Sequence, residues 1–373
     1  MRIVADDKIP FLKGVLDNYC QVDYLPGHRI SRKDLKDTEV LIIRTRTRCD
    51  RKLLHGTPVR FIATATIGFD HIDNGYCRVA GIKWTNAPGC NSGSVAQYML
   101  AALLQIARMQ GRPLSQMVIG IIGVGHVGLK VEKIARLLGM RVLLNDPPRA
   151  RSEGNDHFVP LDELLAGSDI ISLHVPLNMS GIDKTYHLVD RIFTGKCYRK
   201  PFLINTSRGE VVDTALVKSA LKDSQLEGAV FDVWENEPDI DREMLQLAHI
   251  ATPHIAGYSL DGKANGTSMV VQAVSDFCGF GLTGWYPPDV PGPADKEIII
   301  DDTGKTTTDI LYEATIRSYD ILRDDRLLRE IPEAFEHQRS NYPFRREPGS
   351  YRVQLLNDKD NYAEILEKIG FRI

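Results

Sequence analysis

The sequence predicts an α/β protein with two doubly wound parallel sheets and a smaller α+β domain at its carboxyl end. Two observations carry this prediction. Short apolar strands alternate with helical patterns through residues 1–280, which is typical of parallel sheets covered by helices. A glycine-rich turn also stands between one strand and one helix. At 373 residues the chain exceeds what a single core usually holds, so we expect several domains.

Residues 1–93 alternate candidate strands with helical stretches. The predicted strands are Arg2–Ala5, Gln21–Leu25, Val40–Ile43, Arg60–Ala65 and Lys83–Asn86. The predicted helices are Phe11–Tyr19, Ser31–Asp37 and His71–Ala80. Parallel sheets bind ligands beyond the carboxyl ends of their strands. The polar residues that follow two of these strands are therefore candidate ligand contacts.

The run Arg44–Arg48 follows the third strand and alternates three arginines with two threonines. A guanidinium group can donate two hydrogen bonds to one phosphate, so this run is a candidate anion site. The alternative is an ordinary solvated loop. The stretch Thr64–His71 follows the fourth strand, and its hydroxyls and glycine suit a substrate carboxylate. Asp70 within it is expected to cap the helix that follows.

The glycine-rich turn gives the most specific local signal. Its parts are the strand Val118–Ile122, the G-x-G-x-x-G residues Gly123, Gly125 and Gly128, and the helix Leu129–Leu138. This order is the one that a dinucleotide-binding turn requires. The glycines let backbone N–H groups approach a pyrophosphate at the amino end of the helix. The alternative is a glycine-rich turn that binds no ligand.

A carboxylate ends the next predicted strand. The strand is Arg141–Asn145, and Asp146 follows it directly. A carboxylate at this place accepts hydrogen bonds from the adenosine ribose and repels a 2′-phosphate, so NAD is favoured over NADP. Arg149 is an argument for NADP, because an arginine near this position can bind the 2′-phosphate.

The remaining pattern extends the glycine-turn domain and then adds a tail. Further strands are predicted at Asp169–His174, Phe202–Asn205 and Ala229–Val233. Helices are predicted over residues 94–116, Leu161–Leu165 and Asp261–Phe280. After a proline-rich linker, Trp285–Ala294, the tail is expected to contain the strands Ile298–Ile300 and Tyr351–Leu355 and the helices Thr307–Leu322 and Asn361–Gly370.

Three residues suit the oxidation of a secondary alcohol. His254 is a candidate base for the hydroxyl proton, since histidine exchanges protons near neutral pH. Glu237 can hold the other ring nitrogen, and Arg208 can clamp a neighbouring carboxylate in bidentate fashion. Each residue also has an ordinary structural explanation: a core histidine, a helix-boundary glutamate and a loop-pinning arginine.

Composition narrows the class of protein. The net charge of −3 argues against a general nucleic-acid or membrane-surface role. The six cysteines have no paired spacing, so we expect reduced thiols and a cytoplasmic protein. The first residues, MRIVADDKIP, have no apolar core of signal-peptide length, and no apolar run approaches membrane length, so we expect neither a signal peptide nor a membrane helix. The chain has neither metal-ligand spacing nor the Gly-x-Ser-x-Gly motif, so we expect no metal and no serine hydrolase.

These motifs together resemble a known family. GVGHVG with Asp146, NTSRGEVVD, DVWENEP and TPHIAG are similar to the D-isomer-specific 2-hydroxyacid dehydrogenases over about residues 40–280. A second set, ATATIGFDHID, APGCN, DPPR, HIAGYSLDGK and NYPFRRE, resembles one branch of that family over nearly the whole chain.

The resemblance implies a fold, an activity and a division into domains. The fold would be two Rossmann- or flavodoxin-like lobes around a cleft. The activity would be NAD-dependent oxidation of 4-phospho-D-erythronate to its 2-oxo acid by hydride transfer, in vitamin B6 biosynthesis. Residues 1–93 and 255–283 would form the substrate-binding domain and residues 94–254 the NAD-binding domain. Residues 284–373 would form a homodimerisation domain.

The resemblance also implies roles for particular residues. The catalytic set would be Arg208, Glu237 and His254, and the substrate contacts would include Thr45, Thr66 and Tyr258. The cofactor contacts would be Gly123, Gly125, Val127, Gly128, Asp146, Val175, Thr206, Ser207, Arg208, Asp232 and Gly257. Val175 has no side-chain hydroxyl, so we expect it to contribute through its backbone.

The substrate phosphate needs cationic partners of its own. We expect Arg44 or Arg46 to bind it, helped by Arg345 or Arg346 reaching across a dimer; a solvated basic pair is the alternative. Two other functions stay open at this point. One is a relative acting on phosphoglycerate, glycerate or lactate, and the other is a non-catalytic NAD-sensing scaffold of the corepressor kind.

Overall fold

The computed structural model of the protein describes residues 1–154, 156–358 and 361–373. The chain divides into two compact units. The first consists of Met1–Asn91 and Ser259–Pro291, and the second of Ser92–Tyr258 and Gly292–Ile373. The second unit therefore contains both the glycine-rich turn and the carboxyl-terminal tail. Across the residues described, no helix is long and apolar enough to cross a membrane.

The strands and helices are numbered here along the chain. The strands are β1 (Arg2–Asp6), β2 (Gln21–Leu25), β3 (Val40–Ile43), β4 (Phe61–Thr64), β5 (Lys83–Thr85), β6 (Val118–Ile122), β7 (Arg141–Asn145), β8 (Ile170–Leu173), β9 (Phe202–Asn205), β10 (Gly228–Phe231), β11 (Ile250–Ala251), β12 (Glu297–Ile300) and β13 (Arg352–Leu355). The helices are α1 (Arg51–Leu54), α2 (Asn74–Ala80), α3 (Ser92–Gln110), α4 (His126–Leu137), α5 (Pro147–Glu153), α6 (Leu161–Gly167), α7 (Arg191–Gly195), α8 (Thr214–Lys222), α9 (Arg242–Leu247), α10 (Leu260–Cys278), α11 (Thr307–Ser318), α12 (Ile321–Glu330), α13 (Phe335–Ser340) and α14 (Tyr362–Ile369).

The first unit is built on a five-stranded parallel sheet in the order β2-β1-β3-β4-β5. Strands β3 and β4 are buried along their whole length, as expected where elements cover both faces of a parallel sheet. Helix α10 packs on β4 and completes the core on one face. All five predicted strands are present, with small differences in their bounds.

Two predicted helices of this unit are wrong. Residues Phe11–Tyr19 form successive turns instead, and Phe11 and Gly14 have positive φ angles of 64° and 87° that a helix excludes. Residues Ser31–Asp37 also form turns, where the Asp34 carboxylate accepts the backbone N–H and the hydroxyl of Ser31 at 2.9 and 2.6 Å. Such local side-chain bonds compete with helix formation.

The cap of helix α2 also differs from the prediction. Asp73, not Asp70, accepts the N–H of Tyr76 at 2.8 Å and begins the helix at Asn74. Both aspartates precede an apolar helical pattern, so the sequence alone did not distinguish them. The loop between β4 and α2 is consequently longer than predicted.

The second unit is built on a six-stranded parallel sheet in the order β11-β10-β9-β8-β6-β7. Strand β6 is paired with β7 on one side and with β8 on the other, and both pairings are parallel. The side of the sheet to which successive strands are added therefore changes at β6. Ligands of doubly wound sheets bind beyond the strand ends at such a reversal. The glycine-rich turn leaves β6 at this place.

The tail of the second unit contains a two-stranded parallel sheet, β12 with β13. A single helix was predicted over Thr307–Leu322, but the structure has α11 and α12 with a break between them. Asp320 makes the break, because its carboxylate caps α12 by accepting two backbone N–H groups at 3.0 and 3.2 Å. From α12, Asp325 accepts the N–H of Ala251 at 2.7 Å. The tail thereby covers the β11 edge of the six-stranded sheet.

Candidate active site

The glycine-rich turn has the close packing that its glycines predict. A Cβ on Gly123, whose φ is +87°, would lie 2.6 Å from the carbonyl oxygen of His174. A Cβ on Gly128 would overlap the carbonyl of Gly123. At Gly125, by contrast, a Cβ would meet nothing within 4 Å, and no side chain caps α4 there. Open space in front of uncapped helical N–H groups fits the pyrophosphate of a dinucleotide.

Asp146 at the end of β7 is joined to this turn. Its Oδ2 accepts the N–H of Val124 at 2.8 Å, and its Oδ1 accepts the N–H of Arg149 at 3.1 Å. The guanidinium of Arg149 donates to Glu153 at 2.7 and 2.8 Å and to the carbonyl of Val124 at 2.6 Å. Arg149 is thus committed to neighbouring groups of its own chain, which supports a ribose carboxylate without a 2′-phosphate partner.

The ends of β8 and β9 lie beside the turn. Val175, directly after His174, is half-buried against the core. Thr206 places its hydroxyl 3.3 Å from Nδ1 of His174. Burial in this position lowers the pKa of His174 to about 3, so its ring is neutral. Buried Asn205 accepts both the N–H and the hydroxyl of Ser207, at 3.0 and 2.8 Å.

Arg208 is fixed by the loop around it. Asn205 donates to its carbonyl oxygen at 2.9 Å, and its own Nη1 donates to the carbonyl of Ser207 at 2.8 Å. Gly209 follows, and any side chain there would overlap the backbone of Trp234. The absence of a Cβ lets the Arg208 loop pack directly on the loop that carries Glu237.

Asp232 organises the loop that carries His254. It is 1% exposed, and it accepts hydrogen bonds from the hydroxyl of Thr252 and from the N–H groups of Ile255 and Ala256 at 2.7, 2.7 and 2.9 Å. Burial raises the pKa of Asp232, while the nearby His254 and these three donors oppose that rise. The backbone N–H of His254 also donates to the carbonyl of Asp232 at 2.7 Å.

His254 has a left-handed backbone, with a φ of 58°. Residues other than glycine adopt this conformation at a cost in free energy, and such residues cluster at functional sites. Here the hydrogen bonds to Asp232 hold the conformation. They place the imidazole where it is about a quarter exposed.

The predicted histidine–carboxylate pair is present. Nδ1 of His254 lies 2.8 Å from Oε2 of Glu237, and Oε1 of Glu237 accepts the N–H of Trp234 at 3.0 Å. Burial alone would raise the pKa of Glu237, but the hydrogen bond from His254 and the surrounding donors bring it below its ordinary value. Glu237 is therefore an anion at neutral pH. It fixes a proton on Nδ1 and leaves Nε2 of His254 as the ring nitrogen with a lone pair.

Arg345 does not have the phosphate-binding role that the sequence predicted for it. Arg345 is only 8% exposed. Its guanidinium donates to the main-chain oxygens of Ile255, Ala256, Tyr258 and Ser94 at 2.7–3.1 Å and to Oε1 of Gln97 at 3.0 Å. These bonds take up the donors that a phosphate would need, so Arg345 is a structural residue of the second unit, contrary to our expectation. Arg346 is half-buried.

The predicted substrate contacts of the first unit lie at strand ends. Thr45 follows β3 and is exposed, whereas Thr66 follows β4 and is half-buried. The hydroxyl of Thr66 lies 2.7 Å from that of Thr64 and donates to the carbonyl of Gly68 at 2.9 Å. These bonds stabilise the loop after β4.

A basic cavity of about 280 Å³ lies beyond the ends of β1, β2 and β3. Its lining residues are Asp7, Lys8, Pro26, Gly27, His28, Arg29, Arg44 and Arg46. Arg44 also pairs with the buried carboxylate of Asp6, at 3.2 and 3.3 Å. The cavity contains Arg44 and Arg46, the two arginines that the sequence analysis considered for the substrate phosphate, and also Lys8 and Arg29, which it did not single out.

Other residues of the site also escaped the sequence analysis. Trp234 and Asn205 support the catalytic loops through backbone contacts. Arg339, in the tail, lies 3.5 Å from Oε2 of Glu237 and donates to the hydroxyl of Tyr258 at 3.3 Å. Its sequence neighbourhood has no motif, so only the fold could bring it to Glu237. No cluster of three or more metal-binding side chains exists among the residues described.

Comparison with known sequences agrees with this geometry. The family profile "D-isomer specific 2-hydroxyacid dehydrogenase, NAD binding domain" matches residues 96–256, and "Domain of unknown function (DUF3410)" matches residues 293–370. An erythronate-4-phosphate dehydrogenase of Bacteroides fragilis is 48% identical over 95% of this chain and 99% of its own length. That of Porphyromonas gingivalis is 43% identical over 100% of both chains.

Comparison with solved structures gives the same family. The D-lactate dehydrogenase of Aquifex aeolicus, complexed with NAD and lactic acid, has a TM-score of 0.64 and 27% identity, covering 79% of this chain and 100% of its own. The NAD-dependent formate dehydrogenase of Staphylococcus aureus, with NAD, has a TM-score of 0.60 at 22% identity, covering 75% and 96%, and shares the fold. The chain belongs to the erythronate-4-phosphate dehydrogenase branch of the D-isomer-specific 2-hydroxyacid dehydrogenase family, and it is an NAD-dependent oxidoreductase.

Proposed function

We propose that this protein oxidises 4-phospho-D-erythronate to (R)-3-hydroxy-2-oxo-4-phosphobutanoate in vitamin B6 biosynthesis. The observation that carries the proposal is the 2.8 Å contact between His254 and the half-buried carboxylate of Glu237, together with the erythronate-4-phosphate dehydrogenases that are similar to nearly the whole chain. A non-catalytic NAD-sensing scaffold would not need a polarised, partly exposed imidazole.

The chain's own residues perform the acid–base part of the reaction. Nε2 of His254 takes the proton of the C2 hydroxyl, and Glu237 stabilises the imidazolium that forms. NAD, held at the glycine-rich turn, would supply the acceptor for the hydride that leaves C2. Arg208 holds the C1 carboxylate and orients C2, since a fixed guanidinium binds a carboxylate in bidentate fashion. In the reverse direction, His254 returns the proton to the carbonyl oxygen.

We assign the cofactor and substrate contacts as follows. NAD contacts Gly123, Gly125, Val127, Gly128, Asp146, Val175, Thr206, Ser207, Arg208, Asp232 and Gly257. The substrate contacts Thr45, Thr66 and Tyr258. The open space at Gly125 and the link from Asp146 to the turn support the first group. The positions of Thr45 and Thr66 at the ends of parallel strands support the second.

The 4-phosphate is bound at the basic cavity of the first unit. Arg46 is exposed at its rim, and Lys8 and Arg29 line it together with Arg44. Arg46 is the proposed principal phosphate ligand of the β3 loop, because its side chain is exposed where it lines the cavity. Arg346 remains a second proposed ligand, contributed by a partner subunit.

The test compares two substrates. NADH formation is measured with 4-phospho-D-erythronate and with an unphosphorylated D-2-hydroxy acid, in the presence of a 2-oxo acid that recycles the cofactor. Losing one charge-assisted contact of about 2 kcal/mol in Arg46→Ala corresponds to about a 30-fold higher KM for the phosphorylated substrate only. Arg48→Ala is the matched control, because Arg48 is 85% exposed and pairs with Asp50 outside the cavity. Equal effects on both substrates would refute the phosphate site.

We also propose a homodimer formed through residues 284–373 in the cytoplasm. Large apolar side chains of this region, Ile299, Leu327, Ile331 and Leu356, are 45–56% exposed, which supports an interaction surface. Sedimentation equilibrium of the purified protein should give twice the mass of 41.8 kDa. A monomer at micromolar concentration would refute this part of the proposal, and cell fractionation tests the compartment.

A further inference from the structure

The carboxyl-terminal tail reaches the acid–base pair through Arg339. This residue lies on α13, and its side chain is 24% exposed. Its Nη1 forms an ion pair with Oε2 of Glu237 at 3.5 Å, and its Nε donates to the hydroxyl of Tyr258 at 3.3 Å. Glu237 is the partner of His254, and Tyr258 is a proposed substrate contact. The tail is therefore part of the surroundings of His254.

Arg339 and His254 contact the same oxygen atom. Oε2 of Glu237 lies 2.8 Å from Nδ1 of His254 and 3.5 Å from Nη1 of Arg339. A carboxylate oxygen shared with a guanidinium stabilises an imidazolium less than one that serves the imidazole alone. The positive charge of Arg339 also opposes a second positive charge on the nearby ring. Both effects favour neutral His254, the form that accepts a proton from the substrate.

The other charged groups around the pair do not substitute for Arg339. Asp232 lies beneath the His254 loop, where its carboxylate interacts with His254 and accepts hydrogen bonds from three donors of that loop. Burial lowers the pKa of Arg339, but Tyr258 and Glu237 raise it to a value above that of a free arginine. Arg339 therefore keeps its charge at every pH at which the enzyme is folded.

A second contact joins the same stretch of the tail to the same loop. Arg345 donates to the main-chain oxygens of Ile255, Ala256 and Tyr258. Arg339 thus contacts side chains of the site, and Arg345 fixes the backbone that follows His254. The position of α13 relative to Glu237 is set by these bonds.

We propose that Arg339 is a positioning residue that tunes the proton affinity of the Glu237–His254 pair, so that the tail has a role in the reaction itself. This inference rests on the proposed function, because it concerns the pair that performs the proton transfer. It gives residues 293–370, which match a domain of unknown function, a task beyond subunit contact.

The experiment measures the pH profile of kcat/KM for the oxidation in the full-length protein, its Arg339→Gln variant and its Arg339→Lys variant. Removing the charge in Arg339→Gln should move the acidic limb of the profile to higher pH by about one pH unit. Arg339→Lys, which keeps the charge, should restore the limb to near its original position. Arg326→Gln is the control, since Arg326 is a 60% exposed arginine of the tail paired with Asp320.

A second readout does not depend on the substrate. NMR titration of the His254 ring in the NAD-free protein should show its midpoint moving to higher pH in Arg339→Gln and not in Arg326→Gln. Thermal melting establishes that each variant is folded. Unchanged profiles and an unchanged ring titration in a folded Arg339→Gln variant would overturn the inference. If the unmodified protein oxidises no 2-hydroxy acid, the proposed function fails, while the ring titration still decides the role of Arg339.

Discussion

The substitution Glu237→Gln tests the acid–base pair most sharply, because it changes charge with almost no change in shape. Glu237 has three partners: Oε2 accepts Nδ1–H of His254 and forms an ion pair with the guanidinium of Arg339, and Oε1 accepts the N–H of Trp234. A glutamine offers one acceptor oxygen and one donor NH2 in their place. In one orientation the NH2 faces Trp234 N–H, and in the other it faces Arg339 and Nδ1. A donor meets a donor in both cases.

The loss can be sized from these contacts. A hydrogen bond to a charged partner contributes about 1.5–3 kcal/mol, and a mismatched buried donor costs about 1–3 kcal/mol more. Together these give a loss of about 2.5 to 6 kcal/mol in the transition state, which corresponds to about 10²–10⁴-fold in kcat/KM. If the NH2 faces Nδ1, the ring carries its proton on Nε2 and cannot accept the substrate proton at all. The lower bound is therefore about 10²-fold.

The assay is NADH absorbance with saturating NAD over the neutral pH range. Glu243→Gln is the control, because Glu243 forms ion pairs with Lys218 and Lys222, at 2.9 and 2.5 Å, on the surface of the same unit. NAD affinity, measured by fluorescence titration, should stay the same in both variants. A Glu237→Gln enzyme within threefold of the unmodified protein would refute the assigned role of the carboxylate.

Three further predictions concern the cofactor, the loop packing and the pH dependence of stability. Asp146→Ser removes the carboxylate next to the turn but keeps a capping oxygen, so NAD binding should weaken about tenfold while NADP binding does not. Titrations with both cofactors test this prediction, and an unchanged preference for NAD would contradict it. Gly209→Ala should abolish activity and lower Tm strongly, since a Cβ there overlaps the Trp234 backbone. Gly195→Ala is the control: its Cβ meets nothing within 4 Å, so activity and Tm should stay unchanged. Burial raises the pKa of Asp169, but a backbone N–H and two arginines bring it below its usual value, so its contribution is present above the unfolded pKa and is lost as the pH falls through the folded pKa. Asp169→Asn should therefore lower the free energy of unfolding by about 1 kcal/mol at pH 7, a gap that closes below pH 4 in urea titrations.

Local patterns in the sequence were sufficient for the parallel sheets and for the glycine-rich turn. The turn depends on residue types at fixed spacing, and its parts lie within Val118–Leu138. The strands before and after it are short apolar runs, as expected for strands of a covered parallel sheet. The histidine–carboxylate pair was also predictable, because Glu237 and His254 stand in motifs that differ from ordinary strand or helix sequence.

The rest depends on contacts that have no local signature. Phe11–Tyr19 has apolar residues at helical spacing, yet the positive φ angles at Phe11 and Gly14 make it a run of turns. Arg345 is next to Arg346, and two adjacent arginines are typical of an exposed segment. The fold instead buries Arg345 against four main-chain oxygens. Arg339 and Glu237 are about one hundred residues apart, so the sequence could not connect them.

The central claim is that this site moves a hydride from C2 of a 2-hydroxy acid to NAD while His254 accepts the hydroxyl proton. The most direct measurement uses 4-phospho-D-erythronate labelled with deuterium at C2 and detects the label in the reduced cofactor by mass spectrometry. We expect one deuterium in each NADH formed by the unmodified protein, and no label with His254→Asn, although that variant binds NAD equally well. Reduced cofactor without deuterium, or equal transfer by His254→Asn, would contradict the mechanism.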